Sequence, residues 1–128
     1  VLRIMWSGKA YGKNQRLTKG KYGNLYLTDG YRQFKKDLSW QIILARCTDS
    51  HNRYPIDCPV RVHIEVWVHG ARDIDSLETV ILDCLQASGI IGNDKQVMQK
   101  ITIKHKKRRG ELDKIAVGVE RVYSVATV

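Results

Sequence analysis

Val60, Val62, Ile64, Val66 and Val68 alternate without a break against Arg61, His63, Glu65, Trp67 and His69. A period of two puts the β-branched set on one face and the rest on the other, so the segment is a half-buried strand. It is the clearest element in the chain. A helical stripe lies on each side of it in sequence. Tyr31, Phe34, Leu38, Ile42 and Ala45 recur in steps of three and four, with Trp40 and Ile43 widening the core-facing set. Thr28 or Asp29 caps this helix, which runs to Arg46. Leu77, Val80, Ile81, Cys84 and Leu85 mark a second helix from Ser76 to Ser88, stopped by Gly89.

Residues 1–6, 24–27, 96–104 and 115–125 read as further strands, giving the order ββαβαββ. The expected fold class is α+β, a mixed β-sheet with two helices in one small domain over residues 1–128. Residues 7–24 form a long basic loop or irregular hairpin. Its glycines allow close backbone approach to phosphate, and Lys9, Lys13, Arg16, Lys19 and Lys21 supply charge. Tyr11 and Tyr22 are placed there to stack on bases. Residues 47–58 are a connector. Cys47, Cys58 and Cys84 lack metal spacing and read as reduced thiols of a cytoplasmic protein, Cys84 in the core. No apolar run approaches a membrane span, and the first residues lack a signal-peptide layout.

Twenty-two Lys and Arg face thirteen Asp and Glu, a formal charge of +9. Such a field attracts polyanions, nucleic acid first among them. The run Lys104-His105-Lys106-Lys107-Arg108-Arg109 falls between the last two strands and is expected to protrude and meet phosphate. Against this background three acids stand out. Asp73 and Asp75 precede the second helix, and Asp94 follows it in a Gly-Asn-Asp turn. If residues 73–75 are extended, both carboxylates point one way. The helix spans ~20 Å, and residues 89–94 are long enough to retrace it and bring Asp94 back. Three close carboxylates repel unless a cation joins them, and oxygen donors suit Mg²⁺. A structural reading stands beside this one, with Asp75 and Glu78 as a capping box and Asp94 as a turn residue.

The stretch Arg72-Asp73-Ile74-Asp75-Ser76-Leu77, then Asp83-Cys84-Leu85, Ser88-Gly89-Ile90-Ile91 and Asn93-Asp94-Lys95-Gln96-Val97, resembles the RusA family of Holliday junction resolvases. Asn14-Gln15-Arg16 and Tyr31-Arg32 add fainter matches. The resemblance implies a homodimeric endonuclease that nicks four-way DNA junctions symmetrically during recombination and repair. It implies Mg²⁺, with Mn²⁺ as the alternative, no small-molecule cofactor, no membrane partner and a place at the nucleoid of a bacterium or phage host. Asp73, Asp75 and Asp94 match the metal-binding, catalytic acids, and Arg72 the basic residue before them. DNA contacts are expected from Arg16, Lys19, Lys21, Arg72, Lys104, Lys106, Lys107, Arg108 and Arg109. Thr79 stands where the family pattern has a lysine, and Lys95 or Lys100 is the candidate substitute cation. The rival reading is a non-catalytic DNA- or RNA-binding protein of the same fold.

Overall fold

In the computed structural model the described residues are 2–15, 17–19, 21–23 and 25–122. The strand that dominates the sequence, Val60–Val68, is an interior strand of a four-stranded mixed sheet. In chain order the elements are β1 (Leu2–Gly8), β2 (Leu17–Lys19), β3 (Leu25–Leu27), α1 (Asp29–Thr48), β4 (Val60–Val68), α2 (Ile74–Ala87), β5 (Val97–Lys106) and β6 (Asp113–Arg121). The sheet order is β1-β6-β4-β5. β6 pairs antiparallel with both β1 and β4, while β5 pairs parallel with β4. The short β2 and β3 make a separate antiparallel hairpin inside the basic loop, so the irregular-hairpin reading is met. The expected last strand ends earlier, at Arg121, and residues 123–125 of that expectation lie outside the described residues.

Alternation decides which sheet face is covered. Leu2, Ile4 and Trp6 of β1, the five β-branched residues of β4, and Ile115, Val117 and Val119 of β6 are all buried. They form one core with Tyr31, Phe34, Leu38 and Ile42 of α1 and Leu77, Val80, Ile81, Cys84 and Leu85 of α2. Trp6 meets Phe34 edge-on, with ring centroids 4.9 Å apart. Burial pushes the Cys84 thiol pKa up, as befits a core thiol. Trp40 departs from expectation: it is 62% exposed rather than core. On α1 it lies about 200° around the axis from the buried Leu38, so it falls outside the stripe.

β5 alternates weakly because it is an edge strand with reversed polarity. Its register with β4 puts Lys100, Thr102 and Lys104 beside Val62, Ile64 and Val66 on the helix-covered face, and Ile101 and Ile103 on the open one. The polar set is satisfied by α2 and the turn before it. Lys100 Nζ pairs with Glu78 Oε1 at 2.6 Å, and the Thr102 hydroxyl donates to Glu78 Oε2. Burial would raise the Glu78 carboxyl, but the Lys100 and Thr102 hydrogen bonds outweigh it and hold the pKa below the usual carboxylate range. A lowered folded-state pKa means stability that is complete above the unfolded value and lost as pH falls through the folded one. Between about pH 7 and pH 3 the urea midpoint of Glu78→Gln is therefore expected to drop less than that of the parent. Equal drops would show that Glu78 carries none of the acid sensitivity.

Candidate functional site at the start of the second helix

The chain from Val68 to Leu77 builds the acidic end of the molecule. After β4 the backbone turns through His69 to Arg72, with Arg72 N donating to His69 O at 2.9 Å. Asp73 then takes the N-cap of α2, with φ −82° and ψ 114°. Its Oδ1 accepts the otherwise orphaned amide of Asp75 at 3.0 Å. The helix thus begins at Ile74, two residues before the expected Ser76, because Asp73 is a competent cap. Asp73 is extended and Asp75 is already helical, so the two acids are linked through the cap rather than by an extended i, i+2 pair. Both carboxylates are exposed, and the positive end of the helix dipole favours them. Glu78 is committed to Lys100 and Thr102, which removes the proposed Asp75–Glu78 capping box.

Asp94 goes elsewhere. Gly89 ends α2 with φ +75°, a conformation strained for other residues, and an added Cβ would stand 2.6 Å from Arg46 Nη1. Ile90 and Ile91 are buried, and Ile56 N donates to Ile90 O at 2.8 Å, which pins this segment beside residue 56. Asp94 opens a 3-10 turn, Asp94–Gln96, capped by Asn93. Gln96 Nε2 donates to the carbonyls of Ile56 and Cys58 at 2.6 and 3.1 Å, and Val97 then pairs with Val60. Asp94 therefore sits by the start of β4, while Asp73 and Asp75 follow its end. The 14 residues of α2 separate the two places by about 21 Å at ~1.5 Å per residue. The expectation that residues 89–94 retrace the helix is not met within one chain, because they are spent entering a parallel strand.

Carboxylate oxygens suit a hard cation such as Mg²⁺. Within one chain only Asp73 and Asp75 share an end, and one oxygen of Asp73 is engaged in the cap. Among the described residues no group of three His, Cys, Asp or Glu side chains is placed to hold a metal. The described residues of one chain therefore do not by themselves assemble a three-acid set for the ion.

The basic residues divide by their partners. Lys21, Lys106, Arg108 and Arg109 are exposed, as DNA contacts require. Arg16 lies outside the described residues, and so does the side chain of Lys19 in β2. Arg72 turns inward, with Nη2 donating to Ala10 O at 2.5 Å. Lys107 Nζ pairs with Asp113 Oδ1 at 2.7 Å and also donates to Glu111 O at 3.0 Å. Lys104 Nζ donates to Gly70 O and Arg72 O at 2.6 and 2.7 Å. The run 104–109 thus does not protrude as a unit. Its first three residues belong to β5, and Lys104 and Lys107 are held internally. Lys100 is neutralised by Glu78, and Lys95 lies at the Asp94 end, so neither stands beside Asp73. The Thr79 hydroxyl donates back to Asp75 O at 2.9 Å.

The basic loop docks onto the acidic end. Ser76 Oγ accepts from Asn14 N at 3.0 Å and donates to Asn14 Oδ1 at 2.9 Å, and Lys13 Nζ pairs with Asp83 at 2.9 Å. A Cβ on Gly12 would fall 2.3 Å from Ser76 Oγ, so glycine permits this approach. Tyr11 packs against the core and is not free to stack on a base, whereas Tyr22 is 88% exposed. Sequence reading missed the pairing of Lys13 with Asp83, the Asn14–Ser76 pair and Asp113. For Asp113 a signal existed: period two puts this acid on the apolar face with Ile115 and Val117, and it is 4% exposed. A sequence-family model described as endodeoxyribonuclease RusA matches residues 8–120. No curated protein matches the chain.

Proposed function

We propose that this chain, which belongs to the RusA endodeoxyribonuclease family, works as a homodimer that nicks opposed strands of four-way DNA junctions. The observation that carries this reading is the split of the acids between the two ends of edge strand β5. Antiparallel pairing of β5 with a second copy about its midpoint sets Val97 of one against Lys106 of the other. Asp94 of each copy then comes to the end of the sheet where the other copy's Asp73 and Asp75 stand. The edge suits such pairing, since Met98, Ile101 and Ile103 are 69, 40 and 38% exposed on a strand with one side unpaired among the described residues. Two-fold symmetry yields two sites, one for each opposed strand.

Asp73 and Asp75 of one copy with Asp94 of the other would hold Mg²⁺, or Mn²⁺ in its place. When bound, such an ion supplies Lewis acidity and a more acidic water. The exposed carboxylates hold and orient the attacking water and take its proton. Its oxygen adds to phosphorus, the bond to the 3′ oxygen breaks, and a 5′ phosphate and 3′ hydroxyl remain for ligation. Lys21, Lys106, Arg108 and Arg109 attract the backbone, so binding weakens as salt rises. Incubation with end-labelled four-way junction and Mg²⁺ tests the reading, and paired symmetric nicks are expected. Retained binding with no nicks would establish the non-catalytic binder instead, and equal affinity for duplex and junction would remove junction selectivity.

A further inference from the structure

Lys104 occupies a position that alternation assigns to the covered face of the sheet, and it spends its charge on backbone rather than on an acid. Its ammonium is gripped by two carbonyls of one tight turn, Gly70 O at 2.6 Å and Arg72 O at 2.7 Å. The same turn is closed by Arg72 N on His69 O and by Ala71 N on His69 Nδ1 at 3.3 Å. The Arg72 carbonyl belongs to the peptide whose nitrogen is that of Asp73, so the ammonium is one peptide from the cap. A cation at a helix N-terminus is opposed by the helix dipole. Here the two converging carbonyls of Gly70 and Arg72 accept its hydrogen bonds. Arg72 anchors the turn from its other side through Ala10 O.

We propose that Lys104 is a positioning residue: by chelating the carbonyls of Gly70 and Arg72 from the neighbouring strand, it fixes the turn that aims Asp73 and Asp75. This rests on the reading of those acids as the reactive cluster. It departs from the sequence expectation that Lys104 touches DNA phosphate, because a phosphate contact acts on binding and a turn clamp acts on the reacting geometry.

The test compares the parent, Lys104→Met and Lys104→Arg as full chains. Junction cleavage is measured at saturating Mg²⁺, and amide hydrogen exchange of residues 71–75 is followed without DNA. Lys104→Met is expected to lose about 30-fold or more in kcat with KM within about twofold, since an interaction lost only at the reacting centre appears in kcat. Exchange across the turn should rise by about tenfold. Lys104→Arg, which keeps charge and donors, should recover most of both. A raised KM with unchanged kcat would overturn the proposal in favour of a backbone contact, and so would unchanged exchange. If the parent itself does not cleave, the nuclease reading fails, and the exchange measurement still decides whether Lys104 holds the turn. Lys104→Gln, which retains a donor without charge, replaces the methionine variant if that variant does not fold.

Discussion

Asp75→Asn and Asp94→Asn are each expected to lose about 10³-fold or more in Mg²⁺-dependent nicking, and an equal mixture of the two is expected to regain it in part. In a shared site, Asp73 and Asp75 of one copy work with Asp94 of the other. A mixed dimer then holds one site with both substitutions and one with neither. Random reassociation makes about half the dimers mixed, so roughly a quarter of all sites are intact. These sites would nick one strand only, so the junction would be cut without being resolved. If all three acids met within one chain, every site in the mixture would carry a substitution and nothing would return. Each single variant should still bind junction in EDTA. Joint loss of binding and folding in Asp75→Asn would instead reduce Asp75 to a helix-start residue.

The largest expected stability effect belongs to Lys107→Ala. Asp113 is 4% exposed, and Lys107 Nζ lies 2.7 Å from its Oδ1. Its other oxygen accepts the amide of Ala10, itself fully buried, at 2.8 Å. Removing the ammonium leaves a buried carboxylate with one neutral hydrogen bond, at a cost of about 3 kcal/mol. Lys107→Met with Asp113→Asn removes both charges, keeps an acceptor for Ala10, and should be clearly more stable than Lys107→Ala alone. Urea unfolding of the single and double variants checks this. Equal stability of Lys107→Ala and the parent would mean that solvent reaches Asp113. Ala10 also accepts from Arg72. The Asp113–Lys107 pair therefore anchors the root of the basic loop against the turn that carries the acids.

Local patterns in the chain are enough to place β4 and both helical stripes, and to bring Asp73 and Asp75 close to the start of α2, which begins two residues earlier than they suggest. Alternation and steps of three and four depend on neighbours a few residues away, so they survive without tertiary information. Trp40 shows the limit of the same logic: its hydrophobicity assigns it to the stripe, although helix geometry turns it to solvent. β5 shows another. Its alternation looked weak because polar residues fill its covered face, which is understandable only once Glu78 and the carbonyls of Gly70 and Arg72 are seen to receive them.

By itself, the sequence determined a half-buried strand, two amphipathic helical stripes and an Asp-Ile-Asp stretch just ahead of the second of them. Only the tertiary structure decided what those acids can join. β5 enters the sheet parallel to β4, so the helix between them must carry the chain back to the strand's starting end. That direction places Asp94 a helix length from Asp73 and Asp75. It also sets Lys104, distant in sequence, against the turn that precedes them, because pairing register acts between residues that local patterns do not connect.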